Sequence, residues 1–172
     1  MKYSFEDVIG VANRIQADIN ETILPPASGK SFSKEGVIYI ALLKDTRGYI
    51  EQIGHQINGT YANGWYDACA VMIRRLVETL IIETFESHSI ANSIKNPQGD
   101  FFFLRDLIFP CITETSWNMS RNAKSALPRL KEVGDKSAHS RRFVAHRQDI
   151  DGVIADLRVV VQELLYISKI RV

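Results

Sequence analysis

Apolar and polar positions alternate along this chain mostly at spacings of three and four, the period of an α-helix. Phe5, Val8, Ala12, Ile15 and Ile19 follow that rule from Ser4 to Ile19, with Ser4 placed as a cap. Leu24 to Gly36, LPPASGKSFSKEG, breaks it with prolines, glycines and serines and reads as a connector. VIYIALL, Val37 to Leu43, is apolar and rich in β-branched residues, and its period alone does not decide between strand and helix. Tyr49, Ile50, Ile53 and Ile57 then share one side of a helix, and NGTYANG, Asn58 to Gly64, predicts a turn.

Trp65 to Phe85 is apolar on nearly every face, which places that helix at the centre of the fold. After NPQGD, Asp100 is the expected cap of a helix through FFFLRDLIF that stops near Pro110. Thr115 or Ser116 is the expected cap of a helix from Trp117 to Ala126, and Pro128 fits the first turn of a further helix ending near His139. Asp149 to Ser168 carries the clearest stripe: Ile150, Val153, Ile154, Leu157, Val160, Val161, Leu164 and Leu165. The prediction is an all-α helical bundle with long central and C-terminal helices. Residues 1–43 form an N-terminal helix and connector and 44–172 the helical domain, together one compact unit.

Composition narrows the class. At 172 residues the chain suits a single domain with a full core. No apolar run approaches a membrane span, and MKYSFEDVIG lacks an apolar signal core, so a cytoplasmic protein is expected. Cys69 and Cys111 lie far apart without a CxxC and read as reduced, buried thiols.

Net charge is only +1, yet Arg121 to Arg147 holds eight Lys/Arg against two acids, Glu132 and Asp135. That segment is therefore +6 and the remainder −5, a distribution that suits either an anionic partner or a solvated helix face.

Within the basic segment His139 is the candidate general base. A neutral imidazole can deprotonate a ribose 2′-hydroxyl, and nearby cations can hold the phosphate. Lys136, Arg141, Arg142 and Arg147, with Arg74 on the central helix, are the candidate anion- or nucleic-acid-binding residues. The structural reading pairs Arg74 with Glu78 four residues on, gives Gly134 a close helix contact, and has Asp135 bond local amides. In that reading His139 bonds across to the Arg74/Glu78 helix.

His139, His146, Asp149 and Asp151 match no metal-ligand spacing, so no metal or cofactor is expected. His55 and His88 are isolated and read as structural. The chain has no P-loop, strand-linked GxGxxG or GxSxG, which argues against nucleoside triphosphatases, dinucleotide enzymes and α/β-hydrolases.

Two blocks together, YDACAVMIRRLVETLII (66–82) and LPRLKEVGDKSAHSRR with DIDGVIADLRVVVQELL (127–165), resemble the bacterial family called domain of unknown function 4145, and through it the HEPN superfamily. The resemblance covers roughly residues 43–168, and GDKSAH ahead of the last helix is its most specific element. It implies a helical bundle, frequently a homodimer, in a superfamily tied to RNA cleavage, nucleotide binding and defence. HEPN ribonucleases carry Arg-x(4–6)-His. His139 matches the histidine, but the arginine would fall at Glu132, Val133 or Gly134. The expectation is thus a non-catalytic or weakly active module for RNA, DNA or a nucleotide, with a possible protein partner in a defence system. The alternatives are a metal-independent ribonuclease using His139 and a purely structural interaction module.

Overall fold

The computed structural model describes residues 36–171. The helix expected over 4–19 and the connector as far as residue 35 lie outside that range. The described residues form helices α1 (Ile40–Leu43), α2 (Gly48–Ala62), α3 (Tyr66–Ser87), α4 (Leu104–Thr113), α5 (Arg121–His139), α6 (Arg147–Asp151) and α7 (Ile154–Ser168), with a 3-10 turn at Ala91–Ile94. Among them no strand occurs; the only ladder element is an isolated bridge between Lys95 and Phe101. The fold is an all-α bundle.

The all-round apolar pattern of α3 has the expected consequence. It packs against α2, α4, α5, α6 and α7, and Ala70, Ile73, Leu76, Val77, Leu80 and Ile81 are fully buried. Helices α5 and α7 also pack on each other. Leu127 and Leu130 from α5 and Leu157, Val160, Val161 and Leu164 from α7 close the core. No helix of the described residues is long and apolar enough to cross a membrane.

VIYIALL forms neither a regular strand nor a long helix. Val37 and Ile38 are buried in a bend, Tyr39 is extended, and a single helical turn follows. Asn58 on α2 holds the bend: its Oδ1 accepts from the Ile38 N–H (3.0 Å) and its Nδ2 donates to the Ile38 carbonyl (2.8 Å). The amide thus satisfies both backbone polar groups of a buried residue. Arg158 of α7 grips the same segment, donating to the carbonyls of Gly36 and Val37 and lying 4.0 Å over the Tyr39 ring.

Five boundaries differ from the sequence expectation. Asn58 to Ala62 is helix rather than turn, because the buried Asn58 amide spends its bonds on Ile38 instead of breaking α2; the turn comes at Asn63 and Gly64, the latter at φ 75°. Asp100 caps nothing: Asn96 Oδ1 accepts the Asp100 N–H in a local turn, and α4 starts at Leu104. Helix α4 also runs past Pro110, since its buried face continues from Leu107 and Ile108 to Cys111.

The two helices expected around residues 117–139 are one, and neither Thr115 nor Ser116 caps it. Both of their N–H groups go to the Glu114 carboxylate, and Ser120 is the cap, accepting from Ala123 N–H at 3.2 Å. Pro128 is exposed inside α5, so Ala123, Leu127, Leu130 and Gly134 keep one buried face across it. Finally, the C-terminal stripe starts at Arg147 and is interrupted at Gly152 and Val153 between α6 and α7.

Candidate functional site

Helices α3 and α5 run antiparallel, so Arg74 meets the last third of α5 from 61 residues away in sequence. Gly134 makes the meeting possible. A Cβ at 134 would lie 2.5 Å from Arg74 Cβ and 3.1 Å from the Ala70 carbonyl oxygen. Across that contact Arg74 Nε donates to Asp135 Oδ1 at 2.8 Å, and Arg74 Nη1 lies 3.4 Å from Glu78 Oε2. Lys131 closes the cluster on the second oxygen of Asp135. Asp135 therefore bonds side chains across the interface, not the local amides expected of it.

The two carboxylates of the cluster behave oppositely. Burial alone would raise the Asp135 carboxyl, but hydrogen bonds from Lys131 and Arg74 outweigh it and hold it below the usual range. Glu78 is lifted above the usual range by burial and by the neighbouring Asp135 charge, against the pull of Arg74. Arg74 is thus held by two carboxylates, through Nε and Nη1.

His139 ends α5 and is exposed. Among the described residues its ring makes no hydrogen bond, so it does not reach the Arg74/Glu78 helix as the structural reading expected. The turn that follows is held at both ends. The Ser140 N–H bonds the Lys136 carbonyl and Ser140 Oγ accepts from Phe143 N–H at 3.2 Å. Ala145 N–H donates to Asp67 Oδ1 (3.0 Å) at the start of α3, and His146 N–H to Asp149 Oδ2 (2.8 Å). Arg141 and Arg142 sit between these anchors, exposed and without an acidic partner among the described residues.

The other cations of the basic segment are mostly spoken for. Lys136 pairs with Glu132 at 2.7 Å, Arg129 with Asp156 at 2.7 Å, and Arg147 lies 3.4 Å from Asp151. Arg147 also donates to Tyr61 Oη at 3.1 Å and lies 5.6 Å over that ring. Tyr61 in turn donates to Asp151, and burial together with that bond raises its hydroxyl above the ordinary phenol range. What remains unpaired among the described residues is Arg121 and Lys124 at one end of α5 and Arg141 and Arg142 beyond the other. The 19 residues of α5 separate them by about 28 Å. The run of charge in the sequence is two small poles, not one patch.

No group of three or more His, Cys, Asp or Glu residues is placed to hold a metal ion among the described residues. Cys69 and Cys111 are buried free thiols, each pushed up to about 12 by burial, and have no nucleophilic character near neutral pH. His88 bonds the Ile167 carbonyl at 3.2 Å and has the structural part expected of it. Asp67 and Tyr61, which set the turn and Arg147, gave no signal in the sequence, because their partners are 78 and 86 residues away. Comparison of the chain with family models, with curated proteins and with solved structures finds no match.

Proposed function

We propose that the protein is a non-catalytic or weakly active HEPN-like helical module that binds nucleic acid through the turn after α5. The observation that carries this reading is the state of Arg141 and Arg142. They are adjacent, exposed and unpaired among the described residues, on a turn fixed at Ala145 and His146. Presenting two free guanidinium groups on a pinned turn lowers the ordering cost of gripping phosphates. The HEPN resemblance adds a homodimeric state and a setting in bacterial defence or stress response.

Catalysis is the weaker reading. The positions where a motif arginine belongs are Glu132, Val133 and Gly134, and Gly134 is buried against α3. Arg74, the nearest substitute, is held by Asp135 and Glu78. Exposure of His139 beside Arg141 and Arg142 is the one feature that favours a ribonuclease.

One experiment separates the two. End-labelled, mixed-sequence RNA is incubated with wild type and His139→Ala in excess chelator, and binding is followed over a salt series. Retention without cleavage, with Arg141→Ala/Arg142→Ala flattening the log–log salt slope by about 1.4 for two single-strand phosphate contacts, is the expected result. His139-dependent cleavage would replace the binding module with an enzyme. An unchanged slope would remove the turn from the site.

A further inference from the structure

The opposite pole of the bundle holds a cleft of about 710 Å³, within the size range of small-molecule sites. It opens where the C-terminal end of α3, the segment before α5 and the end of α7 converge. One wall is aromatic and fixed. Trp117 Nε1 donates to the Cys111 carbonyl at 3.1 Å, and its ring meets Phe85 edge-on at a centroid distance of 5.0 Å. His88 lies 5.0 Å from the same ring and is held by its bond to the Ile167 carbonyl. Trp117 and His88 therefore line the cleft in orientations set by the protein.

The other wall is cationic. Lys169 and Arg171 line the cleft, and among the described residues no Asp or Glu does. Lys169 takes the left-handed conformation, φ 51°, that ends α7, and it has no acidic partner among the described residues. Arg171 uses one nitrogen on the Leu42 carbonyl, which leaves the remaining donors of its fork. Tyr166, 82% exposed, and Gln162 complete the rim. An exposed tyrosine, a half-buried tryptophan and two cations over one concave surface match a ligand that has both a flat apolar part and a negative charge.

We propose that this cleft binds a small molecule in which a planar aromatic ring is joined to one anionic group. The ring lies against Trp117, and the carboxylate or phosphate faces Lys169 and Arg171. The inference is independent of the turn after α5, which is a helix length away.

The two tryptophans of the chain make the test direct. Trp65 immediately precedes α3 and Trp117 lies beside its far end, so their indole N–H resonances in a nitrogen-correlated NMR spectrum report on opposite poles. Trp65→Phe assigns the pair. Titration with 2-naphthoate and, separately, AMP is expected to shift the Trp117 resonance, with half-saturation below about 1 mM for at least one of them, and leave Trp65 unmoved. Which of the two binds tells carboxylate from phosphate. The neutral counterparts, 2-naphthylmethanol and adenosine, are expected to bind at least about tenfold more weakly, and Lys169→Gln/Arg171→Gln to lose a similar factor. Lys169→Glu alone, which leaves the Arg171 bond to Leu42 in place, is the second variant should the double change fail to fold. No shift of Trp117 with either anion, equal binding of the neutral compounds, or binding indifferent to Lys169→Glu would each overturn the proposal.

Discussion

The crossing of α3 and α5 and the turn just beyond it differ in what they do with positive charge. At the crossing, Arg74 and Lys131 are consumed by Asp135 and Glu78 around a glycine that lets the helices touch. A few residues later, Arg141 and Arg142 are offered to solvent. Both regions belong to one conspicuous block of sequence, yet one is a fastener and the other an open hand. Charge type and spacing do not distinguish them. The distinction comes from whether a partner helix brings carboxylates within reach.

The comparison breaks most readily at Gly134. Gly134→Ala gains helix propensity of up to about 1 kcal/mol, but its Cβ has no room against Arg74 Cβ and the Ala70 carbonyl, and overpacking of this kind costs about 1–3 kcal/mol. A net loss in thermal stability is expected, with Tm lowered by several degrees. A rise in Tm would mean the helices do not meet as described.

Asp135→Asn is next. It leaves two part-buried cations without their carboxylate and should cost on the order of 1–2 kcal/mol in urea unfolding near neutral pH. The pH dependence sharpens this. Asp135 is held below its ordinary value, so its contribution is present above the unfolded-state range and is lost as pH falls through the folded value. Glu78 is raised, so its charged form is the disfavoured one in the fold. Its contribution improves as pH falls from neutral through the raised value, before the loss at Asp135 begins. Asp135→Asn should remove the acid-side loss and Glu78→Gln the earlier gain. Two variants with unaltered profiles would mean the cluster does not carry the linkage.

The turn should show the smallest stability effects. His139→Ala and Arg141→Ala/Arg142→Ala are expected to change unfolding free energy by no more than about 0.5 kcal/mol, since these side chains are exposed and without partners among the described residues. A marked fall in Tm for His139→Ala would return the histidine to the scaffold and erase the contrast.

Much of the bundle was legible because long helices print their burial on the sequence. The all-round apolar run of α3 predicted its central place, and the predicted C-terminal stripe is buried except at Ile154, which is partly so. Element ends were less legible, for a physical reason. Pro128 and Pro110 are helix breakers locally, but a continuous buried face on the opposite side carries α5 and α4 past them. Thr115 and Ser116 are good caps by type, yet α5 starts only at Arg121, where Ser120 takes that place. The Arg74–Glu78 pair was visible from its spacing. The Arg74–Asp135 bond was not, because it needs the antiparallel register of α3 and α5. Of the candidate anion-binding residues, Arg74, Lys136 and Arg147 prove to be paired, and no local pattern announces Asp151 or Tyr61 as partners.

Helix α2 and the turn after it also set how the protein ages in storage. Asn58-Gly59 and Asn63-Gly64 are the same dipeptide, the one in which an asparagine side chain is most readily attacked by the next backbone nitrogen and loses ammonia. Asn58 is buried in helical backbone with both ends of its amide bonded to Ile38. Asn63 stands exposed at the turn, followed by a glycine with positive φ. The new carboxylate of an old sample should therefore arise at 63. At 58, the same chemistry becomes a reporter that α2 has opened.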